Sequence, residues 1–136
     1  MPKLQLIVVT PEAKVVEAEA DEVQLPGELG YLGILPGHTA LITLLKTGVL
    51  SFQDAGVEKS YAVSSGFAEI AADKITVLAD LAEDSSQIDV AAAARERDLA
   101  SEGLKTASRE TMENIRGQLE LAQARLAVAG RAGRSS

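Results

Sequence analysis

The stretch LPGELGYLGILPGH, residues 25–38, decides how the rest of the chain is interpreted. It contains four glycines and two prolines within fourteen residues, and the side chains between them are mostly apolar. Glycine allows positive φ and close backbone approach, whereas proline fixes φ and removes a hydrogen-bond donor. We therefore expect a set of firmly shaped turns with an apolar tip. Such a tip either folds back on its own core or presses against a partner.

Composition and charge narrow the class of protein. The chain has 136 residues, of which 46% are apolar and 3% aromatic, so we expect one aliphatic core with at most a small appendage. The lack of cysteine excludes disulfides and thiol nucleophiles, and the single histidine excludes sites that need two imidazoles. A net charge of −7 disfavours nucleic acid as a partner. The N-terminal segment shows no signal-peptide pattern, which predicts a soluble protein on the cytosolic side.

Short apolar runs separated by turn residues dominate the first two-thirds of the sequence. Leu4, Leu6 and Val8 show the alternation that is typical of a half-buried strand. With turn signals about every 8–12 residues, the pattern predicts about eight to ten short strands in an all-β sandwich. The pattern stops near residue 84. We therefore place a domain boundary between a β-sandwich domain of residues 1–84 and a helical part of residues 85–136.

Alanine, glutamate, arginine and leucine dominate after this boundary, and they predict two helices. Asp89 is a candidate N-cap of the first helix, which we expect to end near Gly103, and Ser108 is a candidate N-cap of the second. The second helix carries a heptad-like apolar seam formed by Met112, Ile115, Leu119, Ala122, Leu126 and Ala129. The predicted fold class is therefore α+β, with an antiparallel two-helix hairpin after the sandwich.

The attachment of this hairpin is predicted to be weak. The first helix offers little apolar surface beyond its alanines and Leu99. Alanine side chains bury little area, and burial contributes about 25 cal/mol per Å². We therefore expect the hairpin to be tied loosely to the sandwich and to adopt more than one arrangement. Residues 130–136 are expected to form a frayed tail.

The residue types that often carry chemistry do not combine into a catalytic or metal site. His38 is read either as a base or as a turn residue, and no nucleophile with an orienting group accompanies it. Ser65 precedes a glycine without a G-x-S-x-G pattern. Asp80, Glu83 and Asp84 form an acidic cluster that we interpret as a solvated corner. We predict no catalytic residue and no metal ligand.

Several motifs together resemble the epsilon subunits of bacterial rotary F-type ATP synthases. The first is G-x-L-G-I-x-P-G-H, formed by Gly30, Leu32, Gly33, Ile34, Pro36, Gly37 and His38. It is followed by YAVSSGF at residues 61–67, by VLAD at residues 77–80, and by an alanine- and arginine-rich helical region after Ile88 and Asp89. The order and spacing of these motifs carry the resemblance, which covers nearly the full length of the chain.

The resemblance implies a flattened β-sandwich at the foot of a central rotor stalk, where a ring of membrane subunits meets the catalytic head. One face would bind the gamma subunit, and a ring-facing loop would contact the ring (c) subunits through Tyr31, Leu32, Gly33 and His38. The implied role is non-catalytic, namely to couple rotation of a proton-translocating motor to ATP synthesis. Such a subunit is peripheral, at the cytoplasmic face of the bacterial inner membrane.

The resemblance also bears on nucleotide binding. Some members bind ATP through a motif [I/L]-D-x-x-R-A at the start of the first helix. This chain has Ile88 and Asp89, but Ala92 replaces the arginine. Because a methyl group offers no hydrogen-bond donor to a phosphate, we expect ATP binding to be weak or absent. Any remaining binding would depend on Ile88, Asp89 and Arg125. No cofactor is predicted.

In the family, the hairpin can extend toward the catalytic head and inhibit ATP hydrolysis. This inhibition relies on basic residues of the second helix that meet acidic surfaces of the alpha and beta subunits. The candidates for such contacts are Arg109, Arg116 and Arg125. Deleting residues 88–136 should then raise ATP hydrolysis.

Two other classes of protein remain open at this level. A stand-alone β-sandwich binding module with a helical dimerisation tail fits the element pattern, although two Tyr and two Phe offer few aromatic platforms for a carbohydrate. A small hydrolase fits the size but lacks a nucleophile set. Co-purification with a large membrane-bound assembly separates a motor subunit from a module, and ester hydrolysis would identify a hydrolase.

Overall fold

Ten β-strands followed by two α-helices make up residues 2–132, the part of the chain that the computed structural model describes. The strands are β1 (Leu4–Val9), β2 (Lys14–Ala20), β3 (Glu22–Gly27), β4 (Gly30–Ile34), β5 (Leu41–Leu45), β6 (Gly48–Asp54), β7 (Val57–Val63), β8 (Gly66–Ala71), β9 (Lys74–Ala79) and β10 (Ala82–Glu83). A 3-10 turn, Ser85–Gln87, leads into α1 (Val90–Lys105) and α2 (Arg109–Ala132). The predicted class, a β-sandwich followed by two helices, is confirmed.

The strands form one hydrogen-bonded path that folds over on itself. The order is β10-β7-β6-β3-β5-β8-β9-β1-β2, and β4 pairs with β3 beside this path. Neighbouring strands are antiparallel except β1 and β9, which run parallel. β3 and β5 meet through the pair Gly27 and Leu45, and the path turns there. One half of the sandwich is β3, β6, β7 and β10, and the other half is β5, β8, β9, β1 and β2.

Alternating side chains fill the space between the two halves. Leu4, Leu6 and Val8 of β1 are at most 1% exposed, because successive residues of a strand point to opposite faces. They form one cluster with Leu50 of β6 and Ile75 of β9, so both halves contribute to the same core. The core is mainly aliphatic, in agreement with the composition.

Residues 25–38 form a β-hairpin followed by a turn, and not the set of turns that the sequence predicts. β4 pairs with β3 over its whole length. Leu25 and Ile34 are fully buried, and their burial stabilises an extended backbone at this point. Gly30, with φ of +137°, and Gly37, with φ of +89°, supply the left-handed positions of the two turns. The prediction is therefore wrong for β4, and it also misses the two-residue β10.

The helix starts are confirmed, and one helix end is corrected. The carboxylate of Asp89 accepts a hydrogen bond from the backbone N–H of Ala92 at 3.0 Å, which caps α1. The helix passes Gly103, which does not adopt the left-handed φ of a C-cap glycine, and ends at Lys105. The hydroxyl of Ser108 accepts a hydrogen bond from the backbone N–H of Thr111 in α2 at 3.3 Å. α2 continues to Ala132, where the sequence predicts a frayed tail, and the rest of that tail lies outside the described residues.

The two helices form the predicted antiparallel hairpin. Gly103 near the end of α1 lies beside Ile115 near the start of α2, and Glu96 in α1 bonds to Arg125 far along α2. A connection of three residues, 106–108, joins the helices. The apolar seam of α2 is partly buried, as expected for the interface of the hairpin.

α2, and not α1, docks the hairpin on the sandwich. Ala124 and Val128 of α2 pack on Val49 of β6 and Ala62 of β7, and Ile88 lies against this cluster. The weak apolar surface of α1 therefore does not limit docking. The docked helix covers the outer face of β6 and β7 and leaves the opposite outer face of the sandwich open to solvent.

Candidate functional site

Tyr31 lies on strand β4 and is held across the start of β6. Its hydroxyl accepts a hydrogen bond from the backbone N–H of Val49 at 3.1 Å, while 57% of the residue remains exposed. A Cβ at Gly48 would come within 3.0 Å of the Tyr31 hydroxyl and 2.8 Å of the Pro26 Cβ. A glycine is therefore required at position 48 for Tyr31 to reach Val49.

The four predicted ring-facing residues do not form one loop. Tyr31, Leu32 and Gly33 lie within β4, whereas His38 belongs to the turn after the far end of that strand. The backbone N–H of Gly37 donates to the Asp73 carboxylate at 2.7 Å, which ties this turn to the connection between β8 and β9. His38 Nδ1 lies 2.6 Å from its neighbouring carbonyl oxygen at Thr39. The prediction of a single loop is wrong, because β4 separates the two ends.

The hairpin tip carries an exposed apolar residue that is not among the site residues predicted from the sequence. Leu29, in the turn between β3 and β4, is fully exposed. The adjacent Glu28 donates its backbone N–H to the carbonyl of Leu44, so the tip lies beside β5. A leucine in a turn is an unusual solvent-facing residue, and this is the signal that identifies it in the sequence.

A row of exposed apolar side chains crosses the open outer face of the sandwich. Leu44 of β5 pairs with Phe67 of β8, which pairs with Leu78 of β9. Residues directly opposite each other project from the same face, and these three are 59%, 41% and 39% exposed. Ile42, two residues before Leu44, extends the patch. We call these four residues the outer row.

The outer row is not among the functional residues predicted from the sequence. The signal was present in ALITLL, residues 40–45, where apolar residues occupy both faces of one strand. Such a run indicates that something covers the second face. The sequence does not show which outer face of the sandwich another part of the chain covers. In the structure α2 covers the face of β6 and β7, so the face with the outer row stays open.

Arg125 lies at the junction of the sandwich with both helices. Its Nε and Nη2 atoms donate to the two carboxylate oxygens of Glu83 at 2.7 and 3.4 Å, and its Nη1 atom donates to Glu96 at 3.3 Å. The side chains of Arg125 and Glu83 are 20% and 22% exposed. Glu83 is therefore a partly buried ion-pair partner, and the interpretation of this residue as part of a solvated corner is wrong.

The other residues of the predicted nucleotide site have structural roles in the described chain. Ile88 is half-buried against the cluster that docks α2. Asp89 caps α1 through the Ala92 N–H. The structure thus brings Ile88, Asp89 and Arg125 to the same junction, and it places the Arg125 guanidinium on two carboxylates.

The remaining basic residues of α2 are more accessible. Arg109 and Arg116 are exposed, and neither forms an ion pair within residues 2–132. Arg131 lies 3.7 Å from Glu58 of β7, and both side chains are about 40% exposed. Arg109 and Arg116 therefore present free positive charge while the hairpin is docked.

The described residues contain neither a metal-binding cluster nor a membrane-spanning helix. Among residues 2–132, no group of three or more His, Asp or Glu side chains is arranged to hold a metal ion. In the same residues, neither helix has the length and apolar character to cross a membrane.

Comparison with known proteins identifies the family. A family model for the β-sandwich domain of the ATP synthase delta/epsilon chain matches residues 3–85. The chain is 40% identical over 134 residues to ATP synthase epsilon chain 2 of Syntrophotalea carbinolica, with 97% of each chain covered. The chain belongs to the ATP synthase epsilon family. It is also 41% identical to the epsilon chain of Myxococcus xanthus, over 92% of this chain and 90% of the relative.

Solved structures share the epsilon fold at low identity. A chain in the cryo-EM structure of the Euglena gracilis mitochondrial ATP synthase (OSCP/F1/c-ring) matches with a TM-score of 0.81 at 17% identity, covering 98% of this chain and 83% of that one. A chain in the central stalk/c-ring structure from Tetrahymena thermophila matches with a TM-score of 0.53 at 14% identity, covering 63% and 69%. At these identities the likeness concerns the fold alone. The resemblance inferred from the glycine-rich motif is confirmed by the epsilon-chain relatives.

Proposed function

We propose that this epsilon subunit is a non-catalytic part of the central stalk of a proton-translocating F-type ATP synthase. It joins the gamma subunit to the membrane ring and couples rotation to ATP synthesis at the cytoplasmic face of the bacterial inner membrane. The main observation in support of this role is that α2 covers one outer face of the sandwich, whereas the opposite face presents the outer row. The central-stalk and ring assemblies of the fold neighbours support this assignment.

The outer row is the proposed contact with the gamma subunit. A contiguous apolar patch on a soluble domain marks an interaction surface. Phe67 lies at its centre, between Leu44 and Leu78, and central aromatic residues often contribute most of the binding energy. The partner surface that fits is apolar and follows the strands across the face.

Gamma binding tests this proposal. Phe67→Asp places an unpaired charge in the contact and should weaken binding of purified gamma subunit at least about tenfold. Leu99→Asp is the matched control, because Leu99 is a 73% exposed apolar residue on α1 and should leave binding unchanged. Size-exclusion chromatography and calorimetry measure both. If the two variants bind gamma equally, the outer row is not the contact.

The hairpin tip is the proposed contact with the ring. Leu29 and Tyr31 project from one end of β4, and His38 lies beyond the other end, so we propose two contact points rather than one loop. Leu29→Asp should lower ATP-driven proton pumping by the assembled enzyme while gamma binding stays intact. Pumping that equals the native level would remove Leu29 from the ring contact.

The free arginines of α2 are the proposed inhibitory contacts. Arg109 and Arg116 are available in the docked hairpin, and Arg125 becomes available after undocking. Deleting residues 88–136 should raise ATP hydrolysis by the assembled enzyme, because no helix then reaches the alpha and beta subunits. Unchanged hydrolysis would remove the inhibitory role and leave the coupling role intact.

ATP is proposed to bind weakly or not at all. Ala92 offers no donor for phosphate beyond the backbone, and the Arg125 guanidinium already pairs with Glu83 and Glu96. A nucleotide would have to displace these carboxylates and tolerate their negative charge. Isothermal titration of the full chain with ATP should show no micromolar binding, and such binding would contradict the proposal.

A further inference from the structure

One guanidinium joins three parts of the fold. Arg125 belongs to α2, Glu83 to strand β10 of the sandwich, and Glu96 to α1, and both carboxylates receive hydrogen bonds from the same side chain. Charge-assisted, forked hydrogen bonds of this kind are among the stronger polar contacts in proteins. They are least screened where the groups are partly buried, as Arg125 and Glu83 are.

The apolar part of the docking surface is small. In-register pairing places Glu83, Ala62 and Val49 in one row across β10, β7 and β6, and α2 lies over this row. The helix contributes Ala124 and Val128 to the contact. Alanine side chains bury little area, so the apolar contact contributes a modest part of the docking free energy. A large share of that free energy therefore comes from the ion pair of Arg125 with Glu83 at the end of the row.

We propose that Arg125 is an ionic latch that holds the helical hairpin on the sandwich. Salt, or an acidic surface that competes for the guanidinium, opens the latch and frees α2. Undocking separates Arg125 from Glu83 of the sandwich, whereas Glu96 lies on α1 and moves with the hairpin. A lysine in the same place cannot reproduce the fork, because its ammonium is a point charge.

A consequence follows that rests on the proposed inhibitory function. The same guanidinium cannot pair with Glu83 and Glu96 and at the same time contact acidic surfaces of the alpha and beta subunits. Opening of the latch must therefore precede any inhibitory contact by Arg125. Thiol labelling measures the latch, whereas ATP hydrolysis measures the inhibition.

Thiol labelling of the full chain measures the latch. The chain has no cysteine, so Ala62→Cys introduces a single thiol beneath α2, where the residue is fully buried. A neutral reagent, iodoacetamide, then reacts only when the hairpin undocks. Val49→Cys, which places a smaller side chain at a 5% exposed position under the same helix, is a second probe. Ala68→Cys in the sandwich core reports global unfolding.

The expected result is a selective rise in labelling. Arg125→Gln should speed labelling at position 62 about tenfold, because a partly buried ion pair loses one partner. Arg131→Gln, which breaks the longer and more exposed pair with Glu58, should change it by less than about twofold. Neither should alter labelling at position 68. Higher salt should speed labelling at position 62 in the native chain and have little effect in Arg125→Gln.

Equal effects of Arg125→Gln and Arg131→Gln would overturn the latch, as would labelling at position 62 that ignores salt. A second comparison addresses the consequence for hydrolysis. The double variant Glu83→Gln, Glu96→Gln frees both the hairpin and the guanidinium, and it should lower ATP hydrolysis by the assembled enzyme. Arg125→Gln also frees the hairpin but removes the guanidinium, so it should lower ATP hydrolysis less than the double variant does. Faster labelling without this difference would sustain the latch and reject Arg125 as an inhibitory contact.

Discussion

At the scale of single residues, Gly66 shows how tightly β8 and β9 approach each other. A Cβ at this position would lie 1.9 Å from the carbonyl oxygen of Leu78 and 2.9 Å from the Cα of Ala79. Both obstacles are backbone atoms of the paired strand, which cannot rotate away as a side chain can. The glycine therefore serves the packing of the sandwich.

Gly66→Ala should lower the free energy of unfolding by about 2–3 kcal/mol, because the strands must shift to admit the methyl group. Gly117→Ala is the matched control. Gly117 lies on the exposed side of α2 with nothing within 4 Å of an added Cβ, and the change should stabilise the chain by up to about 1 kcal/mol. Urea unfolding measures both. A neutral Gly66→Ala would show that the strand pair is more compliant than its geometry indicates.

Tyr61 gives a prediction about pH. Burial of the phenol raises the pKa of Tyr61 above its ordinary value of 10.0, and the negative charge of Asp84 adds to the rise. The folded protein therefore favours the neutral phenol. The stability that the neutral phenol contributes is fully present below pH 10, its ordinary pKa. It is lost as the pH rises through the raised pKa of the folded protein.

Tyrosinate absorbance tests this, in a Tyr31→Phe background that leaves Tyr61 as the one remaining tyrosine. The titration midpoint of Tyr61 should lie above pH 10.0, and Asp84→Asn should lower this midpoint part of the way toward 10.0. A midpoint at or below the ordinary value would contradict the role of burial.

At the scale of elements, the start of α1 depends on one cap. Asp89→Ala removes the acceptor for the Ala92 N–H and should cost about 1 kcal/mol, so that amides of the first turn exchange with solvent about fivefold faster. Asp89→Asn retains a capping oxygen and should stay close to native exchange. Because the role is local, both variants should leave gamma binding unchanged. Native exchange in Asp89→Ala would show that packing alone maintains this turn.

The second helix uses its surface twice. Its seam packs on α1, while Ala124 and Val128 pack on the sandwich, and the charged residues take the remaining positions. Little apolar surface is left for a helical dimerisation tail, which weakens that alternative. The prediction of weak docking rested on the small apolar surface of α1, whereas the hairpin docks through Ala124 and Val128 of α2.

At the scale of the whole molecule, the sandwich has a core of its own. Every described member of the main core cluster lies at or before Ala82, and the helices contribute to the separate cluster under α2. We propose, in agreement with the boundary expected near residue 84, that residues 1–84 are an independent domain.

The fragment of residues 1–84 should retain a β-type circular dichroism spectrum and unfold cooperatively. Val49 and Ala62, which α2 covers in the full chain, become accessible to solvent in the fragment. Gamma binding should persist, because the outer row lies on the other face. A fragment without a cooperative transition would show that the hairpin is part of the folding unit.

The sequence alone was sufficient for the features that depend on neighbouring residues. The alternation of Leu4, Leu6 and Val8, the caps at Asp89 and Ser108, and the change of composition near residue 84 are local signals. They predict the strand series, the hairpin and the order of the two parts. The glycine-rich motif of residues 25–38 led to the family in the same way, through residue types and spacing.

The tertiary structure decided which partners these residues meet. Arg125 and Glu83 are 42 positions apart, and no local pattern indicates that they pair. How the sheet folds over decides that Leu44 and Phe67 face outward, and the docking of α2 on the other outer face leaves them exposed. The strand Gly30–Ile34 forms, although its glycines favour turns, because Ile34 is buried in a core that includes Leu50 and Ile75. In each case the deciding energy comes from burial and pairing between distant segments, which local propensity does not contain.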